Sequence, residues 1–292
     1  MTDDTDGDDN QWRVGPACFN CGAVRTAAPA LFVERDGRAA FARQPSNDQE
    51  MEDAWRGVLI CPVAAVRPPK GLKQPSGIFP QLLSPNVWRL GYNARSSYAA
   101  HSYMTTANGL RLMIDAPRWA GALERWIEET GGLHHILLTH RDDVADAERY
   151  ASRFGARVCI HEEDADSARF ATDLIAAEEP HELLPGVRVI PVPGHTRGSV
   201  MFLIANALFS GDSLCWDDRR HALHAFRDAC WYDWPTQLRS LKRLVHERFG
   251  SMFAGHGGSI VMDEAMMQRE LHAFLDAAKE TSRGSLHPES GR

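Results

Sequence analysis

The chain has 292 residues, of which 43% are hydrophobic and 24% are charged, and its formal net charge is −7. This composition is typical of a globular protein with one large domain, or one medium and one small domain. The acidic balance argues against nucleic acid as a partner, because a phosphate binder needs a basic face. The sequence shows no basic and apolar leader segment and no apolar run long enough to cross a bilayer, so we expect a cytoplasmic protein without a membrane partner.

Composition changes along the chain predict five segments. Residues 1–11 are rich in Asp, Gly and Thr and are expected to form a disordered acidic tail. Residues 12–67 form a compact segment with cysteines near both ends, and the Pro-, Gly- and Lys-rich residues 68–80 are a predicted linker. The large domain is expected at 81–278, and the polar residues 279–292 are a second predicted tail.

Predicted strands and helices alternate in the large domain. Asn108-Gly109 predicts a hairpin turn, and Pro117 with Gly131 bounds a predicted helix. The predicted strands are 87–90, 97–106, 110–116, 134–139, 157–160, 187–193, 199–204 and 207–211. The predicted helices are 117–132, the segment after His140, 235–249 and 263–278. Because several neighbouring strands form hairpins, the pattern indicates a mixed α/β fold and not a parallel βαβ array.

Four candidate metal ligands follow predicted strands, beside glycine or threonine. They are His140, His195, Asp212 and His256. Strand ends hold a ligand rigidly, and a neighbouring glycine leaves room for an ion and a substrate. Two histidines and one carboxylate, here His140, His195 and Asp212, are the minimal set that binds one metal and keeps open positions. The sequence therefore predicts one divalent metal, Zn or Fe, with His256 as a further candidate ligand.

The order of these motifs resembles that of the metallo-β-lactamase superfamily. The matching motifs are Thr139-His140, PGHTRGS at 193–199, Gly211-Asp212 and Gly255-His256. The resemblance covers about residues 84–276 and implies an αββα sandwich with the metal in a cleft at one edge.

The chain departs from that superfamily in its first motif, HxHxDH. Asp142 stands at the second His position, and Val144 and Ala145 replace the DH pair. This departure favours one metal over two. Asp142 and Asp143 are candidate catalytic residues that orient a water or move its proton. The alternative is that both lie in the first turn of the helix after His140, where carboxylates are stabilised by the helix dipole.

The compact segment at 12–67 carries Cys18 and Cys21 as a CxxC pair and Cys61 before a proline. It resembles single-cluster bacterial-type ferredoxins, which hold one [4Fe–4S] cluster with CxxCxxC and a later Cys-Pro. Val24 stands at the third position of the triplet, so the module either holds a cluster with one open iron or has lost it. The predicted fold class is α/β: an αββα metallo-β-lactamase sandwich preceded by a small α+β ferredoxin-like domain.

Three functions are compatible with these motifs. The first is a metallohydrolase of a small acyl compound, such as an ester, thioester or lactone. The second is a mononuclear non-haem iron oxidoreductase similar to the persulfide dioxygenases of the superfamily, acting on a thiol, with a redox partner for the ferredoxin-like module. The third is a non-catalytic, degenerate binding protein.

The segment after Asp212 gives the only indication of the substrate. It combines tryptophans with arginines, and Trp216, Arg219 and Arg227 are candidate substrate-binding residues for a small molecule with an apolar group and an anion. The alternative is that Trp231 and Trp234 seal the core beneath the next helix.

Overall fold

The structure is a computed structural model, and it describes residues 9–176 and 178–284. The outer parts of both predicted tails, 1–8 and 285–292, lie outside the described residues. The chain divides into two compact units. One is Met1–Leu138, Asp142–Cys159 and Phe170–Thr172, and the other is Thr139–Arg141, Ile160–Arg169 and Asp173–Arg292. The predicted segment boundaries stay predictions.

A small α+β module begins the first unit. Its elements are β1 (Arg13–Val14), α1 (Ala23–Ala27), β2 (Phe32–Arg35), β3 (Arg38–Phe41), α2 (Asp48–Ile60) and β4 (Val66–Arg67). β1 pairs with β4, and β2 with β3, both antiparallel. Trp12 and Trp55 are almost fully buried and meet edge to face, with ring centroids 5.3 Å apart. Burial of these large rings removes apolar surface from water, which a segment this short needs for a core.

The long helix of this module, α2, has a side-chain cap at its start. Asn47 has an extended backbone, and its Oδ1 accepts a hydrogen bond of 3.0 Å from the Glu50 amide. Asn47→Ala should therefore lower the free energy of unfolding of the module by about 1 kcal/mol. Urea unfolding followed by Trp fluorescence measures this change. Asn47→Ser is the matched control, because Ser also accepts this bond, and equal stability of both variants would contradict the assignment.

A mostly antiparallel sheet makes up most of the rest of the first unit. Its strands are β5 (Gln81–Ser84), β6 (Val87–Arg89), β7 (Tyr103–Ala107), β8 (Leu110–Ile114), β9 (His135–Leu137) and β10 (Arg157–His161). They lie in the order β10-β9-β8-β7-β6-β5, with parallel pairing only at β8–β9 and β9–β10. Asn108 and Gly109 have φ of 47° and 79°, which confirms the predicted hairpin turn between β7 and β8. Two helices complete the unit, α3 (Gly121–Glu129) and α4 (Ala147–Phe154).

The predicted strand at 97–106 is wrong over its first half. β7 begins only at Tyr103. Tyr98 and Ala99 have positive φ, 48° and 71°, which an extended strand does not allow. The Asn93 side-chain amide donates a 2.6 Å bond to the Ala99 carbonyl and holds this loop in place.

The helix predicted directly after His140 begins later, at Ala147. Ala145 has φ of 38°, and the Asp146 carboxylate accepts a 2.5 Å bond from the Trp119 amide. The positive φ of Ala145 is incompatible with a regular first turn at this point. The interpretation of Asp142 and Asp143 as first-turn helix residues is therefore wrong.

The second unit contains a six-stranded sheet in the order β12-β13-β14-β15-β18-β19. The strands of this unit are β11 (Asp173–Ile175), β12 (His181–Leu184), β13 (Val187–Pro191), β14 (Val200–Ile204), β15 (Ala207–Gly211), β16 (Cys215–Asp217), β17 (Ala222–His224), β18 (Ser251–Ala254) and β19 (Ile260–Val261). Its helices are α5 (Trp234–Leu241) and α6 (Glu264–Gly284), with 3₁₀ turns at Glu162–Ser167, Arg227–Ala229 and Lys242–His246. β15 and β18 are parallel, so the residues that follow them, including Asp212 and His256, meet at one sheet edge.

One face of this sheet packs against α5 and α6. Leu208, Met252, Leu241, Met267 and Leu271 are all fully buried in one hydrophobic cluster. The α5 helix is shorter than predicted because its last turns are the 3₁₀ segment, and α6 extends past residue 278. Across the described ranges, no helix has the length and apolar character needed to cross a membrane.

Candidate metal centre

His140, His195 and Asp212 converge in the second unit. The Nε2 atoms of His140 and His195 lie 3.6 and 3.7 Å from Asp212 Oδ2, and the two imidazole rings are 4.7 Å apart at 83°. One ligand atom from each residue lies within 4.8 Å of the others. Such separations suit three atoms that each bind one ion at about 2.0–2.2 Å. The structure brings the three predicted ligands together, and metal binding by them stays a prediction.

His140 is oriented by the residue before it. Thr139 Oγ1 lies 3.0 Å from His140 Nδ1, so the other ring nitrogen, Nε2, is the one turned to Asp212. The Thr139 carbonyl accepts a 2.8 Å bond from the Val200 amide. Gly211 has φ of 51°, and a Cβ there would lie 2.6 Å from Thr139 Oγ1. A ligand histidine is commonly fixed through its second nitrogen in this way.

The loop that carries His195 is tied to a buried carboxylate, Asp164. This side chain is 1% exposed and accepts bonds from Thr196 Oγ1 at 2.6 Å and from the Gly198 amide at 3.1 Å. It also accepts a 3.0 Å bond from the Arg141 amide, directly after His140. Asp164 therefore positions the backbone beside two candidate ligands. This role is not visible in the sequence, because nothing distinguishes Asp164 from the other acidic residues of the EEDAD run.

A second set of contacts holds the other side of the His195 loop. The amides of Trp231 and Tyr232 both donate 3.0 Å bonds to the His195 carbonyl, and Cys230 Sγ donates to the Gly194 carbonyl. Gly194 has φ of 152°, and a Cβ there would lie 2.3 Å from the Gln237 Cα. Glycine is therefore required at this position for the loop to pack against α5.

His256 contacts the carboxylate of the candidate centre. Its Nδ1 lies 2.9 Å from both Asp212 oxygens. Burial opposes ionisation of Asp212, but His256 and His140 hold the pKa of that carboxyl well below its usual value. Asp212 is therefore deprotonated even without metal, and this is the state in which a carboxylate binds a metal cation. The structure places His256 beside Asp212, and its role as a ligand stays a prediction.

The predicted catalytic aspartates belong to the first unit. Asp143 is 1% exposed, whereas Asp142 is exposed. Their catalytic role stays a prediction.

The predicted substrate-binding residues lie in different surroundings. Trp216 is 8% exposed and packs in the core cluster of the second unit, whereas Arg219 and Arg227 are exposed. Their binding role stays a prediction.

Trp231 does not seal the core, because it is 68% exposed, and its ring centroid lies 6.4 Å from that of His195. The Arg197 guanidinium stacks 4.8 Å from the ring of Tyr232. An aromatic and cationic surface made of Trp231, Tyr232 and Arg197 therefore lies next to His195. The residues predicted to bind substrate were others, namely Trp216, Arg219 and Arg227.

Comparison with known proteins gives a family match for the N-terminal module and, separately, a set of curated relatives. Residues 15–67 match the family described as the 4Fe-4S single cluster domain of Ferredoxin I. A hydroxyacylglutathione hydrolase of Acidiphilium cryptum (strain JF-5) is 36% identical over 122 residues, which is 39% of this chain and 49% of that protein. A hydroxyacylglutathione hydrolase of Rhodobacter capsulatus is 29% identical over 177 residues, 59% of this chain and 68% of the relative. The chain spans about half the length of most of the curated relatives that it matches.

Solved structures show the same architecture. The crystal structure of DIM-1 metallo-beta-lactamase superposes with a TM-score of 0.51 at 14% identity, covering 68% of this chain and 96% of that one. The same enzyme exposed to ceftazidime gives a TM-score of 0.52 at 15% identity, with 68% and 96% coverage. At these identities the similarity concerns the fold.

Proposed function

We propose that this chain, a metallo-β-lactamase-fold protein with an N-terminal ferredoxin-like module, is a metal-dependent hydrolase of a small thioester or related acyl compound. The observation that carries the proposal is the convergence of His140, His195 and Asp212, whose ligand atoms lie within 4.8 Å of one another. The curated relatives named hydroxyacylglutathione hydrolase support a thioester substrate.

The residues present fit one divalent metal. Two imidazoles and one carboxylate suit Zn or Fe and leave coordination positions open. A metal bound there would acidify a water and polarise a carbonyl group. Thr139 holds the His140 ring so that Nε2 faces the site, and Asp212 stays deprotonated beside it. Asp142 and Asp143 remain the candidates for orienting the water.

A second candidate function rests on the same three residues. Two histidines and a carboxylate form the facial set of mononuclear Fe(II) oxygenases, and this chain also carries a match to an iron–sulfur domain. An oxidoreductase that acts on a thiol or persulfide is therefore the alternative that an experiment must distinguish.

The test uses the full chain, stripped of metal and reloaded separately with Zn²⁺ or Fe²⁺. Thiol release is measured from a hydroxyacylglutathione thioester, with a simple ester and a lactone beside it, and oxygen uptake is measured with glutathione persulfide. We expect thioester hydrolysis that requires metal and is lost in His195→Ala. Oxygen uptake by the iron form without hydrolysis would instead support the oxidoreductase. If neither hydrolysis nor oxygen uptake is detected, the result would favour a non-catalytic binding protein.

A further inference from the structure

Residues 226–232, between β17 and α5, expose three large aromatic side chains. Phe226, Trp231 and Tyr232 are 36%, 68% and 45% exposed, respectively. In the described part of the chain only nine large apolar or aromatic side chains are exposed, so a third of them fall in this short stretch. A local concentration of exposed aromatic rings is typical of a surface that binds a ligand.

The backbone that follows these rings is fixed to the loop that carries His195. The amides of Trp231 and Tyr232 donate to the His195 carbonyl at 3.0 Å each. The Asp233 amide donates to the Gly194 carbonyl, also at 3.0 Å, and the Asp233 side chain caps the start of α5. The exposed positions of Trp231 and Tyr232 are therefore set by backbone hydrogen bonds to the ligand loop.

The two ends of the stretch lie beside two different residues of the candidate centre. The Trp231 ring centroid is 6.4 Å from that of His195. A Cβ added at Gly257, directly after His256, would lie 3.4 Å from the ring of Phe226. A substrate bound at this centre therefore meets aromatic surface at both of these histidines.

A positive charge accompanies the rings. Arg197, two residues after His195, is exposed, and its guanidinium lies over the Tyr232 ring, 4.8 Å from the centroid. Among the described residues of this unit, no carboxylate forms an ion pair with Arg197. A cation–π contact does not use the N–H groups of the guanidinium as ion-pair donors, so they can bind an anion.

We propose that Phe226, Trp231, Tyr232 and Arg197 form the recognition surface of the candidate metal centre, which selects an acyl compound with a flat apolar group and a carboxylate. The flat group packs on the exposed Trp231 ring, and the carboxylate pairs with the Arg197 guanidinium. This inference rests on the proposed hydrolase, because the metal centre cleaves what the recognition surface binds. The surface differs from the set predicted from the sequence, in which Trp216 is a core residue.

The first test compares four thioesters on the full chain loaded with zinc. A phenylacetyl or an acetyl group is joined to 3-mercaptopropionate or to the neutral 3-mercaptopropionamide, and thiol release is measured. In the wild type we expect kcat/KM to be about fivefold higher for phenylacetyl than for acetyl, and about tenfold higher for the carboxylate than for the amide. Trp231→Ala should remove the first preference, and Arg197→Gln should remove the second.

Two control variants accompany this comparison. Trp231→Phe keeps a flat ring and should keep the preference for the phenylacetyl group. Arg248→Gln removes an exposed arginine of the same unit that precedes β18, whereas His256 follows the other end of that strand. It should keep the preference for the carboxylate.

The second test separates the recognition surface from the hydrolase. The probe is 3-(benzylthio)propionate, a thioether that cannot be hydrolysed as a thioester. It is titrated by calorimetry into the metal-free full chain, so that its carboxylate has no bound metal to contact. We expect Trp231→Ala and Arg197→Gln each to weaken binding about five- to tenfold. Such binding without any thioester hydrolysis would contradict the proposed hydrolase and support the recognition surface.

Three results would overturn the recognition surface. They are thioester hydrolysis with the same two preferences in the wild type and both variants, a wild type without either preference, and equal affinity of all three proteins for the probe. The first two would leave the proposed hydrolase in place, because hydrolysis itself is then observed.

Discussion

His140→Ala should lower the bound divalent metal from one equivalent to a trace and reduce kcat/KM for a thioester at least about 100-fold. His140 is 1% exposed, and its Nε2 is one of three atoms that converge on the candidate centre. The variant leaves only His195 and Asp212, too few ligands to hold an ion against buffer and chelator. Elemental analysis after dialysis against a weak chelator measures the metal, and thiol release measures the rate.

The matched control for this variant is His246→Ala. His246 is an exposed imidazole in the same unit, in the 3₁₀ turn after α5. The His246→Ala variant should keep both its metal and its activity. This result would exclude the possibility that the loss of any one histidine lowers metal content. Full metal content in His140→Ala would contradict the assignment of this residue as a ligand.

Asp164→Ala should destabilise the chain by about 3 kcal/mol and weaken metal binding by about 10- to 100-fold. The variant removes the acceptor for Thr196 Oγ1 and for two backbone amides, those of Gly198 and Arg141. Asp164 is 1% exposed, so the groups that it accepts from would lose a buried acceptor. The loop that carries His195 should then lose its fixed position. Thermal unfolding and metal titration measure the two effects.

Asp166→Ala is the matched control for the buried aspartate. Asp166 lies two residues further on, its side chain is 62% exposed, and it pairs with the exposed Arg141 guanidinium at 3.0 Å. An exposed pair of this kind contributes less than about 1 kcal/mol. Equal loss of stability in both variants would show that Asp164 has no special structural role.

The fold and the convergence of three candidate ligands could be predicted because their signals are local. Asn108-Gly109 specifies a hairpin turn by its backbone preference alone, and the structure has it. His140, His195 and Asp212 each follow a run of apolar residues and stand beside Gly or Thr, so each position is visible in a few residues. Their order along the chain resembles one superfamily, and that order was sufficient to predict the fold.

Other features depend on contacts that a single sequence does not show. Asp164 becomes important only because a 3₁₀ turn brings it to a loop more than 30 residues further along the chain. The loop at Tyr98 contains strand-forming residues, and its conformation is set by positive φ and by the Asn93 side chain, six residues before the Ala99 carbonyl that it bonds. Trp231 has the apolar character of a core residue, but backbone bonds to the His195 carbonyl hold it at the surface. In each case a contact made in the folded chain overrides the local pattern of residue types.

The most direct test of a mononuclear centre at His140, His195 and Asp212 is a titration of the metal-free full chain with Co²⁺, followed by visible absorption. We expect one equivalent to bind with the weak bands of nitrogen and oxygen ligands, and His195→Ala to abolish them. Strong sulfur-to-cobalt absorption at the first equivalent, a second equivalent of equal affinity, or no binding at all would each contradict this account.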